Sequence, residues 1–165
     1  MKKETYEKVI RFFERSRWRS MILELVCKIL PVLCGTVYLF IGVGLLFLKY
    51  EHLARYVAVP AAGVVIVTVL RKLINRRRAY EALGFSPFLK NKEGKGQSFP
   101  SRHTACAFLI AFACWYIFVP LGIVMFALAV IIALSRLLSG MHYPSDVISG
   151  FFLSLIIAVL GFCVV

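Results

Sequence analysis

Acidic residues are scarce in this chain. Asp and Glu number eight in 165 residues against 20 Lys and Arg, and Asp146 is the only aspartate. Polar stretches are almost as rare, because the one long polar segment runs from 71 to 102. Hydrophobic residues make up 61% of the chain, well above the 45–50% typical of soluble domains, which excludes a soluble globular protein. No CxxC pair occurs among Cys27, Cys34, Cys106, Cys114 and Cys163, so the thiols read as buried and unreactive. No small-residue cleavage site follows a short apolar core near the N-terminus, which argues against a cleaved signal peptide. Internal repeats and low-complexity tracts are also missing, so one domain over 1–165 is expected.

What fills the chain is long apolar runs. A membrane-crossing helix needs roughly 17–25 mostly apolar residues, and five stretches reach or approach that: 29–48, 53–70, 104–119, 121–138 and 147–165. Pro120 and Gly122 break the long block that holds the third and fourth. The fold class expected is therefore an all-α, multi-pass transmembrane bundle of about five spans. Residues 1–28 carry eight Lys or Arg, with Tyr6, Val9, Ile10, Phe13, Trp18 and Ile22 near helical spacing. They read as an amphipathic helix lying in the membrane interface.

Beyond 102, the only Asp, Glu, His, Lys or Arg residues are His103, Arg136, His142 and Asp146, all at span ends. Such residues beside apolar spans point to function. Counting crossings places Arg71, His103, Arg136 and Asp146 on one side of the membrane. Arg71 and Arg78 stand seven apart, two turns on one helical face, where two guanidiniums could clamp a phosphate. In "SFPSRH", Ser98 could cap a helix with Pro100 in its first turn, leaving Ser101, Arg102 and His103 at an anion-favouring N-terminus. In "SRLLSGMHYPSD", Asp146 could hold one ring nitrogen of His142 so that the other is free to attack, with Arg136 facing the same phosphate. Together these residues form the parts list for phosphoryl transfer through a covalent histidine. A His/His/Asp metal site is the rival, but the surrounding arginines would repel a cation, and no metal or other cofactor is expected.

Arg71 with Arg78-Ala79, then Pro100-Ser101-Arg102-His103, then Ser135-Arg136, His142 and Asp146 resemble the three motifs of the type 2 phosphatidic acid phosphatases. These are written Lys-x6-Arg-Pro, Pro-Ser-Gly-His and Ser-Arg-x5-His-x3-Asp. The third matches in full at its spacing, and the three together cover 71–146. The resemblance implies His142 as nucleophile, Asp146 as its partner and His103 as the acid that later activates water. It implies phosphate binding by Arg71, Arg78, Ser101 and Arg136, with the backbone N–H of Arg102 assisting. Three positions depart from the motifs: Arg71 stands for Lys, Ala79 for Pro and Arg102 for Gly. The second departure loosens the backbone after Arg78, so that Arg76 or Arg77 could share its role.

The resemblance thus implies a membrane phosphatase acting on a lipid phosphate or diphosphate, such as phosphatidic acid, phosphatidylglycerol phosphate or an isoprenyl (undecaprenyl) diphosphate. The net charge of +12 suits such substrates and anionic membrane lipids, which are the expected partners, rather than nucleic acid. A lipid phosphotransferase would use the same site. A non-catalytic anionic-lipid-binding module would need the arginines alone. Sidedness is drawn two ways, since the N-terminal cations favour a cytoplasmic active face and the family pattern an external or lumenal one.

Overall fold

The computed structural model describes residues 1–48, 50–89 and 96–164. The loop formers at 91–95, Glu93 among them, and the last residue of the expected fifth span lie outside the described residues. The helices are α1 (Lys3–Glu14), α2 (Arg17–Phe47), α3 (Leu53–Ile74), α4 (Ala79–Leu83), α5 (Arg102–Ile117), α6 (Val119–Leu138) and α7 (Pro144–Val159), the last running into a π turn at Leu160–Val164. No strand occurs among the described residues. Four helical stretches are long and apolar enough to cross a bilayer: Arg17–Phe47, Leu53–Leu83, Val119–Leu138 and Pro144–Cys163. The chain is a multi-pass integral membrane protein.

The remaining expected span, 104–119, is α5, which at 16 residues is about 24 Å long and just under the usual minimum for a crossing. Its position explains the length. α5 packs against α2, α3, α6 and α7, so its surroundings are protein rather than lipid. Small residues permit the close approach: Ala105, Ala107, Ala111, Ala113 and Cys114 are all buried. Neighbouring helices reply with glycine. A β-carbon on Gly122 would stand 2.4 Å from the Cα of Trp115, and one on Gly150 would stand 2.9 Å from the carbonyl oxygen of Ser101. Phe108, Met125, Ala129 and Ile132 fill the core between α5 and α6, with Cys34 of α2 and Val147 of α7 at its edges. The corner between these two helices falls at Phe118, which is extended, and Pro120 opens the first turn of α6.

The N-terminal segment departs from a single helix over 1–28. The chain turns at Arg15 and Ser16, where Ser16 is extended at φ −135° and the hydroxyl of Ser20 donates to the Phe13 carbonyl at 2.9 Å. Serine competes for backbone hydrogen bonds and so favours a corner over a helix interior. From Arg17 the second helix runs unbroken through the expected boundary at 28 and past Pro31. Part of the apolar face of α1 packs on protein. Tyr6 and Ile10, one turn apart, are buried; the Tyr6 ring stacks on Phe85 at 5.1 Å, and its hydroxyl donates to the carbonyl of His142 at 3.1 Å. This face of α1 is held by protein, at the end of the bundle where α6 gives way to α7.

Candidate active site

Three separated pieces of chain meet at that end. α3 stops at Ile74 because Asn75 adopts the left-handed conformation, φ 40° and ψ 42°, which Asn tolerates better than most residues. Arg71 and Arg78 therefore do not share a helical face as their spacing suggested, since Arg78 is the N-cap of α4. They are brought close by the intervening loop. The Arg71 Nη1 donates to the carbonyl of Pro100 at 2.8 Å, tying α3 to the segment before α5. The Arg78 Nε donates to the carbonyl of Gly96 at 3.1 Å, and the Gly96 N–H in turn donates to the Glu81 carboxylate at 3.0 Å. Both guanidinium residues are buried.

The second piece enters α5. Ser101, rather than Ser98, occupies the N-cap position, and Pro100 precedes the helix. Ser101 donates its backbone N–H to the carbonyl of Asp146 at 2.9 Å, and its hydroxyl accepts from Thr104 at 3.0 Å. Arg102 and His103 form the first turn of α5, Arg102 exposed and His103 half-buried. His103 borders a small, mostly apolar cavity shared with Pro31, Cys34 and Cys106.

The third piece enters α7. Pro144 and Asp146 lie in its first turn with Tyr143 as cap, and His142 stands just before it. Both His142 and Asp146 are buried, at 1% and 0% exposure. Burying a carboxylate demands hydrogen bonds to its oxygens. Oδ2 receives the hydroxyl of Ser98 and the N–H of Tyr143 at 3.0 Å, while Oδ1 receives Nη1 of Arg76 at 2.9 Å. His142 Nδ1 is 3.5 Å from Oδ2 and 3.3 Å from the Ser98 oxygen, so the serine bridges imidazole and carboxylate. Burial pushes the His142 imidazole below its usual range, opposed by Asp146 and reinforced by the nearby Arg78 and Arg71. The ring is thereby kept neutral near pH 7, the form in which a nitrogen lone pair can attack.

Arg71, Arg78, Ser101, His142 and Asp146 are thus linked at one end of the bundle, with Arg102 and His103 on the adjoining helix turn. Arg136 is buried in the last turn of α6 and donates through Nη2 to the carbonyl of Cys27 at 2.6 Å, which ties α6 to α2. Sequence reasoning missed three participants. Ser98 was assigned to capping, Arg76 only to sharing the role of Arg78, and Tyr6 only to an amphipathic face. The available signal was the lone aspartate: a buried carboxylate has about four acceptor sites, and its donors had to come from the loops ahead of α5 and after α3.

Comparisons with known proteins agree with this architecture. The structure is similar to the crystal structure of Aquifex aeolicus LpxE, with a TM-score of 0.74 and 21% identity over 96% of this chain and 92% of that one. It is also similar to that of a transmembrane PAP2-type phosphatidylglycerolphosphate phosphatase from Bacillus subtilis, with a TM-score of 0.71 and 22% identity over 95% of this chain and 82% of that one. In sequence, it is 35% identical over 92 residues to lipid A 1-phosphatases of Rhizobium etli and Rhizobium johnstonii. The matched segment is 52% of this chain and 38% and 36% of those relatives, so the chain spans under two-fifths of their length. Residues 52–165, which hold every motif residue above, match the PAP2 superfamily, and the chain belongs to that family.

Proposed function

We propose that the protein is a membrane phosphatase that hydrolyses a lipid phosphate or diphosphate through a phosphorylated His142, without a metal ion. The observation that carries this reading is the buried His142–Asp146 pair, with two buried arginines beside it, at one end of a membrane-crossing bundle. In the proposed reaction, Asp146 holds the proton on Nδ1 and Nε2 of neutral His142 attacks phosphorus. His103 gives a proton to the departing oxygen as the P–O bond breaks. His103 then takes a proton from water, the hydroxide attacks the phosphohistidine, and inorganic phosphate leaves with His142 restored. Arg71, Arg78, Ser101 and the backbone N–H of Arg102 bind the phosphoryl oxygens and stabilise their developing charge. Arg136 completes the charge on that face of the bundle.

Little of the chain lies outside the helices, which suits a substrate arriving laterally through the bilayer. The candidate lipids are phosphatidic acid, phosphatidylglycerol phosphate and isoprenyl diphosphates, and the names of the relatives add the 1-phosphate of lipid A. The test is phosphate release by purified protein in detergent with EDTA, across that panel. The expected result is chelator-insensitive release from at least one lipid, abolished by His142→Ala. Activity that disappears with chelator, or that survives the substitution, overturns the mechanism.

A further inference from the structure

Arg76 lies between the two arginines of the first motif, at one of its unspecified positions. The residue nonetheless touches both of the other pieces of the site. Its Nη1 donates to Asp146 Oδ1 at 2.9 Å and to the Ser145 hydroxyl at 2.9 Å, and its guanidinium carbon lies 4.2 Å from the centre of the Tyr143 ring. Its backbone carbonyl accepts the N–H of Ser98 at 2.8 Å. One residue thus holds the carboxylate from one side and the serine that approaches it from the other.

We infer that Arg76 is a positioning residue for the reaction proposed above, fixing the Asp146 carboxylate so that Oδ2 stays directed at the imidazole of His142. The terminal torsion of an aspartate is soft and nearly two-fold, so the two oxygens exchange easily unless each is separately engaged. Oδ2 has Ser98 and Tyr143. Among the described residues, the side chain that donates to Oδ1 is Arg76. The contact being fixed is a long one, 3.5 Å from Nδ1 to Oδ2, so a small carboxylate rotation would lose it. The planar fork of arginine, pinned by Ser145 and stacked on Tyr143, suits this duty better than a mobile ammonium.

A second consequence is electrostatic. His142 is faced by Asp146 of α7, by Arg71 at the end of α3 and by Arg78 of the following loop. Tyr6 of α1 holds its backbone carbonyl, and α5 and α6 bring His103 and Arg136 to the same end of the bundle. Arg76 reaches the ring through Asp146, offsetting part of the carboxylate charge and so part of its hold on the imidazole proton. Removing that cation raises the pH at which His142 becomes neutral.

The inference rests on the proposed reaction and is tested beside it, by phosphate release from the preferred lipid as a function of pH for wild type, R76Q and R76K, with thermal melting of each. R76Q is expected to lose about 10–100-fold in kcat, the scale seen when the outer partners of metal-bound histidines are removed, with KM within about twofold. The acidic limb of its pH profile should move to higher pH. R76K, which keeps the charge and is the safer variant to fold, should show a smaller loss and a smaller shift in the same direction. Wild-type profiles in both variants would overturn the inference. So would a raised KM at unchanged kcat, which marks a phosphate contact, or a lowered melting temperature and kcat with the acidic limb unmoved, which marks a structural role only. A wild type inactive on every lipid would refute the proposed reaction itself, whereas active wild type with indifferent variants refutes only the role of Arg76.

Discussion

α2 and α5 are both apolar helices, yet they serve opposite purposes. α2 runs 31 residues and buries four side chains, whereas α5 runs 16 and buries eight. The exposed side chains of α2 are large, Leu39, Phe40 and Phe47 among them, and in a bilayer they meet lipid tails. The buried ones of α5 are mostly Ala and Cys. Because lipid is as apolar as a protein core, hydropathy cannot separate a helix that faces the membrane from one at the centre of a bundle. Side-chain size can, because close helix packing in a membrane relies on small residues. The central helix begins with the Ser101–His103 turn, so the best-packed element also carries part of the candidate site.

If chemistry resides at that end of the bundle, substitutions there and on α2 should differ most in rate. Asp146→Asn should lower kcat for phosphate release by about 10²–10⁴-fold, the scale seen when a histidine loses its orienting carboxylate. Phe40→Ala, on the exposed side of α2, should stay within about twofold of wild type. The wild-type profile adds a sign. Burial holds His142 below the usual imidazole value of 6.5, and the attacking form is the neutral one. Activity should therefore persist as pH falls through 6.5 and be lost only below it, which a pH titration of kcat checks.

A smaller contrast concerns packing. Gly122→Ala in α6 places a β-carbon against the backbone of Trp115 and should cost about 1–3 kcal/mol by overpacking. Gly35→Ala in α2 meets nothing within 4 Å and should be neutral or stabilising by under about 1 kcal/mol. Melting of the two variants in the same detergent compares them. Among the substitutions that remove a contact, the smallest effect is expected from α1. Tyr6→Phe removes the hydrogen bond to the His142 carbonyl, worth about 0.5–1.5 kcal/mol, and should lower kcat a few-fold with the rest of the bundle intact. The Tyr6 hydroxyl, pushed up to about 12 chiefly by burial, stays protonated throughout that assay.

Much of this was legible before any coordinates. Apolar runs located the membrane helices to within a few residues at 53 and 138, and the spacing Ser135-Arg136, His142, Asp146 placed a buried pair at the start of α7. The rest depended on facts that periodicity does not carry. The corner at Ser16 was hidden because the residues around it remain good helix formers, and it is marked by the extended Ser16 backbone and the hydrogen bond from Ser20. The left-handed Asn75 ended α3 four residues beyond the expected limit and sent Arg76 back toward α7, which no helical-face argument would anticipate. Arg136, expected to face the phosphate, also reaches across to the Cys27 carbonyl through Nη2, a contact set by how α2 and α6 pack.

The claim on which the account turns is that His142 carries the phosphoryl group during turnover. Rapid quenching of the enzyme with a radiolabelled lipid phosphate tests it directly. The account predicts protein-bound label that is stable in alkali, released by acid as expected for a phosphoramidate, mapped to the peptide containing His142 and missing in His142→Ala. Turnover with no such label under rapid quench, or label on another residue, would contradict it.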